Sequence, residues 1–271
     1  ADVTAANATL TAGAGGIGQG GNGAVDVNAS TATAADTSAD NANIALNLLA
    51  TPALVGTLNA GAGNTTLTAS GAVSDANGAT NNVTANDLNV TAQGGVDLDT
   101  TVATLTVDAQ AAGAVNIAES DGITLTSVVT ADGAVSVIAG GAMIATLVTA
   151  GGAGPGDDVS LTTTGAGDIA AGAVTALGDA VTLSAAANIV EAAPLDAAAD
   201  VSATTITLVA GTGGAGAIGT AAADAELDID LAVGGTLSVT TAGAGGDIHL
   251  AETSGRLATS EITTVATPGG A

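Results

Sequence analysis

A triplet of aliphatic, small polar and aliphatic residues recurs along this chain, as in Leu105-Thr106-Val107, Val115-Asn116-Ile117, Val135-Ser136-Val137, Val159-Ser160-Leu161, Val181-Thr182-Leu183 and Ile206-Thr207-Leu208. Alternation with a period of two puts the aliphatic residues on one face of an extended strand and the hydroxyls and amides on the other. From Val115 the triplet starts again after 20, 24, 22 and 25 residues, at Val135, Val159, Val181 and Ile206. A second aliphatic position follows 8 to 10 residues into each unit, at Ile123, Ile144, Ile169 and Ile189, and a third comes soon after, at Val128, Leu147 or Val174. Order is constant while length drifts.

Units of about 20 to 25 residues, each with two or three short strands between Gly-rich corners, are the mark of a β-solenoid. The expected fold is therefore all-β: one elongated parallel β-helix over residues 1–271, each coil laid on the one before it. Residues 80–260 should form regular coils, and the Asn-rich residues 1–80 less regular ones. Some 12 coils at about 4.8 Å each give a rod of roughly 55 to 60 Å. An antiparallel sandwich fits less well, because Asn22-Gly23, Asn77-Gly78, Asp121-Gly122 and Asp132-Gly133 are too sporadic to turn every strand pair. Residues 191–200, with Pro194 inside, read as a loop inserted in a coil, and Ala221 to Glu226 as a similar interruption. Asp40 to Ala50 reads as a short helix with Ile44, Leu48 and Leu49 on one side, stopped by Pro52.

Composition agrees with a narrow interior. The 271 residues include no Phe, Tyr, Trp or Cys, and 40 are Gly. Val, Ile, Leu and Ala fill a slim coil without rings, and Gly turns its corners. Forty-seven per cent hydrophobic residues set the chain apart from disordered sequences, and Gly and Thr interrupt nearly every window in which an Ala-rich helix would form.

Charge excludes more. Arg256 is the sole Lys or Arg and His249 the sole His, against 26 acids and a formal charge of −25. Nucleic-acid binding needs cations for the phosphates and rings for the bases, so it is not expected. Neither is membrane insertion, since no stretch nears twenty continuous apolar residues. Ala1-Asp2-Val3 opens without a basic or apolar leader, so any secretion signal is expected to be removed or to lie outside this stretch. Absence of Cys excludes a disulfide scaffold and thiolate metal sites.

Few side chains remain for chemistry. Polysaccharide lyases on such folds need a base, and hydrolases an acid and base across a cleft. Arg256 stands beside Gly255 without a partner motif, and His249, between Ile248 and Leu250, points outward by alternation. No catalytic residue is assigned and no enzyme is expected. Acidic clusters are the other candidates. Glu226, Asp228 and Asp230 alternate with Leu227, Ile229 and Leu231; Asp97 and Asp99 repeat the pattern; Asp157-Asp158 follow Pro155-Gly156. Hard cations take oxygen ligands of this kind, so Ca²⁺ at Glu226, Asp228, Asp230, Asp97 and Asp99 is the one cofactor to consider, against a plain solvated acidic face. Asn-x-Ser/Thr sequons stand at Asn7, Asn28, Asn64, Asn82 and Asn89.

The run from Asp158-Val159-Ser160-Leu161-Thr162 through Gly165-Ala166-Gly167-Asp168-Ile169, then Gly178-Asp179-Ala180-Val181-Thr182-Leu183 through Ala187-Asn188-Ile189, resembles the rod repeats of filamentous-haemagglutinin-like exoproteins. The resemblance covers roughly residues 80–260. It implies a right-handed coil, secretion to a bacterial surface, and a role as fibre or adhesin. The family's Asn-Pro-Asn-type secretion motif is absent from this chain. The expected function is thus a secreted structural rod that forms or decorates an extracellular fibre, sheath or surface layer and stacks end to end. The alternatives are an adhesin binding a cell-surface ligand and, more remotely, a polysaccharide-degrading enzyme.

Overall fold

The structure is a computed structural model that describes residues 1–19, 23–152, 154–193, 196–222, 225–242, 246–254 and the strand Ile262–Ala266. Its strands join one 19-stranded sheet wound into a β-solenoid of about 11 turns, and every pairing is parallel. Among the described residues there is no helix.

The triplets are where coils meet. Val115 pairs with Val135, Val135 with Val159, Val159 with Val181 and Val181 with Ile206, so the spacings of 20, 24, 22 and 25 residues are each one full turn. Their companions Ile117, Val137, Leu161, Leu183 and Leu208 make a second column two residues further on. A third column runs on another face from Leu46 through Leu67, Val90, Val107, Val128, Val148, Val174 and Val201 to Ile229. All of these side chains are buried in one continuous core. Each removes about 1.5 to 3 kcal/mol worth of apolar surface from water, provided another coil lies above and below it.

Corners set the phase between these columns. Three residues, Ser120-Asp121-Gly122, separate Glu119 from Ile123, and three more, Gly140-Gly141-Ala142, separate Ala139 from Met143. Since Glu119 pairs with Ala139, Ile123 must pair with Met143, and Met143 continues to Ile169. The inward position is therefore Met143, 1% exposed, and Ile144 is 45% exposed. Likewise Val148 enters the core and Leu147 stands outside, at the two-residue corner between Ala145 and Val148. Sequence alternation alone mistakes both by one, because two adjacent aliphatic residues leave the phase to the corner length.

Asparagine and aspartate knit the corners. The backbone N–H of Asn64 donates to Asn43 Oδ1 at 2.8 Å, that of Asp99 to Asn82 Oδ1 at 2.8 Å, that of Ala180 to Asp158 Oδ1 at 2.9 Å, and that of Asn188 to Asp168 Oδ1 at 2.8 Å. In each case a donor on one coil meets a side chain on the preceding coil, where the bending backbone offers no carbonyl. The Asn-rich first part is built in the same way. Ile44–Leu48, within the stretch that reads as a helix, is a strand lying between Val25–Asp36 and Thr65–Ala69. Pairing on both sides outweighs local propensity there, and Leu49 is left exposed beyond the strand.

One corner needs glycine. Gly113 and Gly133 have φ of 152° and 147° and stack directly, and a Cβ on Gly133 would lie 2.5 Å from the Gly113 carbonyl oxygen. Gly133→Ala should therefore destabilise the rod by at least about 1 kcal/mol. Register gives a sharper expectation. Met143→Ala should cost about 2 to 5 kcal/mol in urea unfolding, and Ile144→Ala no more than about 0.5 kcal/mol. Equal losses would contradict this phase.

Candidate metal centre

The corner between Ala145 and Val148 holds Thr146-Leu147, and that between Ala171 and Val174 holds Gly172-Ala173. On the next coil Ala171 pairs with Glu191 and Val174 with Val201, so the nine residues 192–200 stand where two stood before. Among the described residues this insertion carries neither strand nor helix. A second insertion lies one coil on: Ile218 bridges to Ile189 and Ile229 pairs with Val201, with residues 219–226 leading into the strand Leu227–Thr241. Two enlarged corners thus sit one above the other.

Three carboxylates meet at their base. Glu191 ends the strand Ile189–Glu191, Asp200 precedes Val201, and Asp228 precedes Ile229 on the following coil. They are 6%, 4% and 3% exposed, and each brings a carboxylate oxygen within 4.8 Å of the other two. Asp200 Oδ2 accepts the N–H of Asp228 at 2.9 Å, the same corner bond made by Asp158 and Asp168. Glu191 Oε1 accepts the N–H of Asp196 from within the insertion at 2.6 Å, whereas Oε2 is enclosed and accepts no hydrogen bond. Burial, followed by repulsion from Glu191, Asp228 and Asp196, pushes the Asp200 carboxyl up to about 8, although the Asp228 N–H works the other way. A shallow cleft lined by Gly172, Ala173, Ala192, Asp196 and Ala199 opens onto Asp200 from the side.

Of the five acids that sequence alternation marks as cation candidates, the structure brings Asp228 into this group. Leu227, Ile229 and Leu231 face the core as alternation requires, yet Asp228 on the opposite face is buried as well, against Asp200. Asp230 accepts the Ser254 hydroxyl, and Glu226 Oε2 accepts the Ala225 N–H at 3.2 Å. Asp97 is exposed, and Asp99 is half-buried, its carboxyl raised by burial and by Asp75 and Asp97. Asp157 is buried at another corner, its carboxyl raised by burial and then by Asp132 and Asp179. His249 is half-buried beside Thr220 and Glu226, and Arg256 lies outside the described residues. Among the sequons Asn82 is fully buried, donating to Val55 O at 2.9 Å and Asp75 Oδ1 at 2.7 Å, so a glycan has no access to it in the folded chain.

Glu191 and Asp200 escape a search for acidic runs because they stand nine residues apart. A signal was present all the same. In Ile189-Val190-Glu191 the acid occupies the inward phase, in the column of Leu88, Leu105, Leu125, Ala145 and Ala171, where the two alanines leave it room. Glu119 carries the same signal in Val115-Asn116-Ile117-Ala118-Glu119 and is likewise buried, but fully bonded. Its Oε2 accepts the Thr100 hydroxyl at 2.8 Å and the Val102 N–H at 3.0 Å, and its Oε1 the Asp121 N–H at 3.2 Å.

No family model, curated protein or solved structure matches the chain.

Burial outweighs those hydrogen bonds and raises Glu119 to about 7 from the usual 4.5. A carboxyl raised by folding adds stability that is complete below the unfolded value and is lost as pH rises through the folded one. Wild type should therefore unfold at lower urea at pH 8 than at pH 5 in the presence of EDTA. Glu119→Gln, neutral at both, should show a smaller difference. Equal differences in the two proteins would remove Glu119 as a source.

Proposed function

We propose that this chain is an extracellular structural protein, a β-helical rod that forms or decorates a fibre, sheath or surface layer. The observation that carries this reading is the continuous aliphatic core. The same three aliphatic columns run coil after coil, while the polar side chains at the outer positions are hydroxyls, amides and carboxylates, set among Ala and Gly. Such an interior resists unfolding without offering a pocket lined by large apolar groups, and the surface supplies few of the bases and rings with which catalysts and ligand sites work. The likeness of residues 158–189 to haemagglutinin-type rod repeats supports the same reading, as does the corner ladder that those residues form.

Parallel coils also supply a means of assembly. An end coil presents a row of backbone donors and acceptors at the spacing another coil needs, so a second copy continues the ladder. The charge of −25 opposes that approach until salt, a divalent cation or a basic partner screens it. Purified chain should be monomeric at low ionic strength and form end-to-end filaments in negative-stain micrographs and sedimentation velocity as NaCl or CaCl₂ is raised. Monomers at every salt and Ca²⁺ concentration would overturn self-assembly, and adhesion of cells to those monomers would favour an adhesin instead.

A further inference from the structure

Glu191 poses a problem that the rod itself does not solve. Its carboxylate is buried together with those of Asp200 and Asp228. A buried carboxylate needs its oxygens satisfied, and a like-charged neighbour does not do so. Among the described residues, Glu191 Oε2 is one of three side-chain oxygens that are enclosed without a hydrogen bond. It belongs to the carboxylate that meets Asp200 and Asp228.

We propose that Glu191, Asp200 and Asp228 bind Ca²⁺, and that the ion fastens the 192–200 insertion to the rod. Ligand chemistry favours this cation. Three carboxylates whose oxygens lie within 4.8 Å of one another offer the hard ligands that Ca²⁺ takes, and Ca²⁺ tolerates irregular sets of six to eight. Mg²⁺ demands a tighter octahedron and gives up its water reluctantly. Placement supplies the mechanical consequence. Glu191 is the last residue before the insertion and Asp200 the last residue of it, so one ion joined to both closes the loop at its neck. Asp228 comes from the following coil and ties that neck to the stack. The remaining positions on the ion fall to backbone carbonyls or to water, for which the cleft opens beside Asp200.

This site does not depend on the chain's assembling into fibres, and a monomer suffices to test it. The full chain, stripped with EDTA and kept at about physiological ionic strength, is titrated with CaCl₂ by calorimetry, with thermal melts and amide hydrogen exchange on the same samples. The expected result is saturable binding of one Ca²⁺, a rise in melting temperature, and exchange slowed at least tenfold at the amides of residues 196–200. Glu191→Gln and Asp200→Asn should bind at least tenfold more weakly and lose the protection. Asp97→Asn/Asp99→Asn, which removes an exposed and a half-buried carboxylate elsewhere, should respond as wild type does. Equal responses in all these proteins would overturn the site, leaving only ions condensed on an acidic surface. Equal protection by MgCl₂ at the same concentration would overturn the choice of Ca²⁺. Should Asp200→Asn fail to fold, Glu191→Gln decides, because its amide oxygen still accepts the Asp196 N–H.

Discussion

No coil of this chain has an interior of its own. A single turn is one strand-thickness tall, and its aliphatic side chains leave water only when another turn lies on each side. Hydrogen bonding obeys the same condition, since the backbone groups of every coil are satisfied along the rod axis by the coils next to it. Register between neighbours is thus the quantity on which both burial and hydrogen bonding rest. Val115, Val135, Val159, Val181 and Ile206 stand over one another, and a slip of one residue would turn their side chains outward.

Register in turn gives the unusual composition its meaning. A column only one side chain wide suits branched aliphatics, which stack on their own kind, and has no use for rings. Corners suit Gly where backbones approach closely, and Asn or Asp where the bending chain leaves an N–H without a carbonyl. Two kinds of acid differ in what they ask of the fold. Those at open corners, such as Asp158 and Asp168, accept a backbone donor from the next coil and keep water on their other side. Those at inward positions, Glu119 and Glu191, must find every partner inside the protein. Glu119 finds three; Glu191 finds one, from Asp196.

Much of the architecture is legible in the residues. The turn lengths could be read from the triplets to the residue, because alternation and repetition reinforce one another there. Where two aliphatic residues adjoin, as at Met143-Ile144 and Leu147-Val148, alternation is silent on phase and the number of corner residues decides. Ile44–Leu48 looks helical in isolation and is a strand because coils lie on both sides of it. The acidic group was half legible: Asp228 stands in a visible run of acids, but its partners Glu191 and Asp200 are joined to it only by the stacking of successive coils. A search by inward phase rather than by local charge density would have found Glu191, since an acid in a column of Leu and Ala is out of place.

The enlarged corners show how such a rod accommodates novelty. Residues 192–200 replace a two-residue turn, yet Val201 pairs with Val174 below and Ile229 above as though nothing had intervened. The ladder records only which residues meet, and is indifferent to the length of chain between them. Genetic change can therefore lengthen, shorten or exchange a corner without propagating along the axis, so that the vertices are free to diversify while the columns stay fixed. A fold of this kind separates the part of a sequence that must be kept from the part that can be rewritten, and does so anew on every turn.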